Sequence, residues 1–181
     1  MATLIGTAIG ETIVGTTDPD FIRGGNGNDL VTGEANDDSL FGGLDDDTVY
    51  GGAGNDLLVD TSGPDTMRGG GGDDLISGSW GDDSLWGDAG NDSANGGGGN
   101  DWISLGLGDD LSNGWSGDDR LYAGSGEDRA NGGSGNDTLF GWDGADTLLG
   151  WLGDDTVFGQ LENDSLDGGG RQRSGRRQRG R

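Results

Sequence analysis

Gly24-Gly25-Asn26-Gly27-Asn28-Asp29-Leu30-Val31-Thr32 sets the pattern of this chain, and Gly132-Gly133-Ser134-Gly135-Asn136-Asp137-Thr138-Leu139-Phe140 repeats it far downstream. Eighteen such nonapeptides run from Gly6 to Asp167 without an inserted or deleted residue. Self-similarity at a fixed short period marks a solenoid, in which each unit folds only by stacking on its neighbours. Counted from the first glycine, position 1 is Gly in 15 of 18 copies, with Asp60, Leu105 and Ala123 as exceptions. Position 4 is Gly in 13 copies, and Asp18, Asn36 and Asp45 replace it in three more. These residue types tolerate positive φ, so position 4 is expected in a left-handed turn. Ile9 and Glu162 depart from the rule in the first and last copies, where a solenoid meets solvent rather than another repeat.

Position 6 is Asp in 17 copies, with Glu11 in the first. Position 8 is Ile, Leu, Val or Met in 15 copies; Ala94, Ser112 and Ala130 are smaller. The unit therefore reads as a six-residue turn and a three-residue strand whose middle side chain points inward, positions 7 and 9 pointing out. One inward side chain per strand makes a thin core. Position 5 varies and carries no evident constraint.

Composition agrees that the core alone is insufficient. Of 181 residues 44 are Gly, only 29% are hydrophobic, and the formal net charge is −24. Six of the ten Arg lie between Arg171 and Arg181, so residues 1–170 hold four Arg against 34 acidic residues, a net of −30. Carboxylates stacked about 4.8 Å apart repel by roughly 1 kcal/mol per pair in water, and several times that at an effective dielectric of about 20. Divalent cations reverse the sign of that contribution. Nucleic acid, itself an array of phosphates, is a poor partner for this acidic body.

The chain has no Cys and no His. That excludes disulfides, thiolate sites, the zinc-protease HExxH signature and any Ser-His-Asp triad. No GxSxG nucleophile elbow occurs either. Every pair of carboxylates belongs to the repeat turns, so the chain is expected not to be an enzyme. Residues 1–20 lack a basic stretch followed by a long apolar run. No segment approaches the ~18 apolar residues of a membrane-spanning helix.

The nonapeptide resembles the calcium-binding GGxGxDxUx repeat of the RTX (repeats-in-toxin) family, in which U is a large aliphatic residue. The resemblance implies an all-β fold, a right-handed parallel β-roll of about nine turns with two nonapeptides per turn. It also implies Ca²⁺ between successive turns, held by position-6 carboxylates and main-chain carbonyls. Calcium accepts six to eight oxygens at flexible geometry, which suits Gly-rich loops better than magnesium's octahedron would. The implied ligands are Asp29, Asp56, Asp65, Asp74, Asp83, Asp92, Asp101, Asp110, Asp119, Asp128, Asp137, Asp146 and Asp155. Asp60 and Pro64 make the loop of Asp65 less regular, and Asp20, Asp38, Asp47 and Asp164 sit in loops that depart further. With at most eight inter-turn sites on each side, about sixteen ions form an upper bound.

The expected division is a lead-in over residues 1–5, the roll over 6–170 and a disordered Arg-rich tail over 171–181. The implied role is a calcium-dependent folding module of an extracellular, secreted protein, although the family's usual C-terminal export signal is not visible after the last repeat. The alternative is an adhesin or matrix component that self-associates through an aromatic face. Taken from every second copy, position 9 gives Tyr50, Arg68, Trp86, Ser104, Tyr122, Phe140 and Phe158, while the opposite sheet would carry Asn95, Asn113 and Asn131. Rows that simply stack on themselves explain this pattern more economically than a ligand face. Trp115, Trp142 and Trp151 share position 2 and are expected on the turns, where they would extend a sticky edge.

Overall fold

The computed structural model describes residues 2–170; the Arg-rich stretch 171–181 lies outside them. Among the described residues nineteen strands, from Thr3–Ile5 to Ser165–Asp167, form two parallel sheets. Odd-numbered strands make a ten-stranded sheet and even-numbered ones a nine-stranded sheet. Each strand pairs with the strand two further along, so Ser84 lies beside Trp102 and Trp102 beside Arg120, an offset of two nonapeptides that holds throughout. The chain thus winds as a parallel β-roll, one turn for every two nonapeptides. Among the described residues no helix is long and apolar enough to cross a membrane.

Most strands are twice as long as the sequence pattern implies. Thr48–Ala53 is typical: it begins at position 7 and continues through position 3 of the next nonapeptide. Thr3–Ile5, ahead of the first full repeat, is already a strand paired with Phe21–Asn26. The longer strands have two inward positions rather than one. Position 8 supplies Ile22, Val31, Leu40, Val49, Leu58, Met67, Ile76 and Leu85 and their successors, buried in a single stack between the sheets. Position 1 also faces in, but its glycine contributes no side chain; only Leu105 and Ala123 add apolar volume there. The core stays thin, and each member of the stack matters. Leu139→Ala, at a fully buried site registered between Leu121 and Val157, is expected to cost about 2–5 kcal/mol. Urea unfolding in saturating calcium would measure it.

Position 4 takes positive φ in every copy from Gly27 to Glu162, so Glu162 follows the geometry that its residue type disfavours. A second left-handed position lies inside the long strands. Position 2 has positive φ from Gly25 to Gly169 except at Thr61, including Trp115 (75°), Trp142 (78°) and Trp151 (70°). Glycine at position 2 in only 8 of 18 copies is the faint trace of this in the sequence.

The outward rows stack along the roll. Tyr122, Phe140 and Phe158 lie with ring centroids 5.1 and 5.0 Å apart and planes within 11°. That is close to the strand spacing, so the rings satisfy one another along the sheet. Arg68 interrupts the row and pairs with Asp88. The three position-2 tryptophans do not form one edge. Trp115 and Trp151 flank Gly133 on the odd sheet, above a groove of about 300 Å³ that also meets Asn113 and Asn131. Trp142 is on the other sheet, between Gly124 and Gln160.

Candidate metal centres

The Asp of position 6 ends each turn and enters the next strand, and its side chain folds back under the turn. Its own N–H donates to Oδ1 of the equivalent Asp in the following turn of the roll. One edge carries the ladder Asp20, Asp38, Asp56, Asp74, Asp92, Asp110, Asp128, Asp146 and Asp164. The opposite edge carries Glu11, Asp29, Asp47, Asp65, Asp83, Asp101, Asp119, Asp137 and Asp155. Each bond is 2.7–3.2 Å long. All seventeen aspartates singled out in the sequence therefore fall on two continuous lines. Asp38 and Asp47 sit in the same geometry as the regular copies, because the ladder is set by position 6 and tolerates Asn36 or Asp45 at position 4.

One oxygen of each carboxylate is thereby used by the backbone, and the other faces inward. Oδ2 is buried without a hydrogen-bond partner in Asp29, Asp38, Asp47, Asp56, Asp65, Asp74, Asp83, Asp92, Asp101, Asp110, Asp119, Asp128, Asp137, Asp146 and Asp155. A buried carboxylate oxygen with no donor carries a large desolvation cost, so a row of them fits cation ligands. The space they face is defined by position 1. A carbon placed on Cα of Gly24 would lie 2.5 Å from Asp29 Oδ2 and 2.5 Å from the carbonyl oxygen of Gly42 in the next turn. Over Gly15 the same point is 2.9 Å from Asp20 Oδ2 and 2.6 Å from the Gly33 carbonyl. Carboxylate and carbonyl oxygens thus converge where a side chain would otherwise stand, which explains the glycine. Oxygen-only donors at such spacing suit Ca²⁺, whose Ca–O distances are about 2.3–2.6 Å.

Burial is the leading cause that pushes the ladder carboxyls from Asp29 to Asp146 above their usual range, opposed by the backbone N–H bonds and reinforced at most by neighbouring carboxylates. Asp119 is raised to about 8, Asp74, Asp83 and Asp110 to about 7, and Asp56, Asp92, Asp101, Asp137 and Asp146 to about 6. Asp20 goes the other way. The N–H of Ala2 bonds its Oδ1, while the N–H and hydroxyl of Thr16 bond its Oδ2, and its carboxyl is lowered. In the preceding copy the Thr7 N–H donates to Glu11 Oε2 and the Thr7 hydroxyl to Oε1. The first two turns thus supply protein donors where later turns leave an oxygen free, and Asp164 at the far end is only half-buried.

Position 5 is not idle. Asn or Asp there accepts the position-5 N–H of a neighbouring turn, as in Asp37–Asn55–Asp73–Asn91–Asp109 on one edge. The variation between Asn and Asp is permitted because both present Oδ1. Asp60 is a further site residue that the position-6 pattern does not select: at position 1 it is 1% exposed, and it lies against Asp47 and Asp65.

A parallel β-roll whose edges are lined with such oxygen cradles is a calcium-binding repeat architecture. The RTX calcium-binding nonapeptide repeat profile matches residues 5–40, 27–58, 59–94, 77–112, 86–121, 122–157 and 152–170, and the chain belongs to that family. No curated protein matched the chain.

Proposed function

We propose that residues 6–170 are a non-catalytic, calcium-dependent folding module of a secreted protein, with position-6 aspartates as ligands. The observation that carries this reading is the double row of buried, unpartnered Oδ2 atoms, which over Gly24, Gly33, Gly51, Gly78, Gly114 and Gly141 face the main-chain carbonyl of the next turn across the glycine. Family membership supports calcium as the ion. Secretion accords with the same chemistry: calcium is scarce inside cells and abundant outside, so folding coupled to its binding would wait for export. The proposed ligands are those of the two ladders from Asp29 to Asp155, with Asp20 and Asp164 weaker because their surroundings are satisfied or open.

Asp119→Asn, in the cradle over Gly114, gives a local test. The remaining Oδ1 still accepts the Asp101 N–H, while an NH₂ donor replaces the free oxygen. Native mass spectrometry of the calcium-loaded variant is expected to show a folded chain with about one ion fewer than the parent. A parent chain that is folded in excess calcium yet carries none would overturn the reading.

A further inference from the structure

Asp60 stands where 15 of the 18 copies have glycine. Its side chain enters the cradle over Gly42, taking the place that the next turn's carbonyl holds over Gly24 and Gly33. Asp47 and Asp65 reach the same space from the ladder. One carboxylate oxygen from each of the three lies within 4.8 Å of the others, and among the described residues this is the one such triple. Oδ2 of Asp47, Asp60 and Asp65 is buried and unpartnered in all three, and these residues are 1–2% exposed. Thr61 and Gly43 N–H groups satisfy only Asp60 Oδ1.

The same turn is the most weakly stitched in the roll's middle. The seventh strand, Leu57–Val59, stops after three residues; beyond it an isolated bridge joins Leu44 to Ser62, and single backbone bonds run from Asp60 N–H to Ser77 and from Gly63 N–H to Trp80 in place of a continuous ladder. Pro64 at position 5 has no side-chain oxygen to offer Asp82, and the position-5 ladder on that edge starts only at Asp82. Three converging anionic oxygens beside this irregular strand would repel one another strongly unless a cation joined them.

We propose that Asp47, Asp60 and Asp65 form a distinct high-charge metal site that prefers a trivalent hard cation to calcium and staples the irregular seventh strand into the roll. It rests on the reading that the cradles bind calcium and adds a prediction that they do not share. Three carboxylates neutralise a +3 ion, whereas the regular cradles offer fewer charges, and ligand charge count is what tunes affinity in oxygen sites.

Lanthanum is the probe. The calcium-loaded full chain would be given one equivalent of La³⁺ in excess calcium and desalted into calcium buffer, and both metals counted by mass spectrometry. The parent is expected to keep about one La³⁺ per chain, and Asp60→Gly roughly tenfold less, with the other calcium ions retained. Asp60→Gly restores the residue usual at that position and so is compatible with the fold. Asp60→Asn, which keeps the volume and removes the charge, is expected to behave like it. Equal lanthanum retention by parent and variants, or none by the parent, would overturn this site while leaving the calcium reading intact. A parent that keeps no calcium sinks both.

Discussion

Stripping calcium from the folded chain with a chelator is expected to abolish its parallel-β signal in far-ultraviolet circular dichroism and to expand it severalfold. The radius of gyration should rise from about 16 Å, typical of a compact chain of this length, toward about 45 Å, and fall again when calcium is restored. The reason is the imbalance between core and charge. Two position-8 side chains per turn of the roll are all the apolar burial that most turns have, against two buried carboxylates with an oxygen unpartnered. Without cations those oxygens must be desolvated, and each stacks on like charges above and below. With cations the same oxygens become ligands, and the free energy of metal binding becomes free energy of folding. Sizing by X-ray scattering across the titration checks this; a chain equally compact and β-rich in chelator refutes it.

Acid is expected to replace part of calcium's effect. Burial raises the carboxyls of Asp56, Asp74, Asp83, Asp92, Asp101, Asp110, Asp119, Asp137 and Asp146 from an ordinary value of 3.8 to between about 6 and about 8 in the folded chain. Between the unfolded and folded values the folded state binds more protons than the unfolded one. Its relative stability is therefore fully present below the unfolded value and is lost as pH rises through 6 to 8. In chelator, lowering the pH from 8 to 5.5 should accordingly increase β-structure, at a pH still above the isoelectric point of about 4.1. In saturating calcium the fold should be present at pH 8, and acidification should release ions, since protons and metal compete for the same oxygens. Circular dichroism at fixed chelator and at fixed calcium separates the two arms. A metal-free chain that is better folded at pH 8 than at pH 5.5 contradicts the argument.

Much of this is legible in the sequence. Leu85, Leu121 and Leu139 occupy position 8, and the alternation of a strand is enough to turn them inward. A carboxylate stands at position 6 in every copy, as at Asp83, Asp101 and Asp119, and a turn alone does not require that. Strand length was not legible, because positions 1–3 are Gly-rich and lack strand propensity. They become strand only through pairing with the adjacent turn of the roll, as Gly97 does with Trp115. Trp115, Trp142 and Trp151 looked like one edge because they share a position; alternate copies go to opposite sheets, and that separates them.

The sequence by itself determined the phase of the repeat, the inward row of aliphatic side chains, the position of the carboxylates and the need for a counter-ion. Each of these is a property of one nonapeptide, repeated. The tertiary structure decided which carboxylate oxygen is free, since the other is taken by an N–H from a different turn. It also decided that Asp60 meets Asp47 and Asp65, because only winding brings residues from separate nonapeptides into one cradle. Contacts between turns depend on the stacking of whole units, and no single unit encodes them.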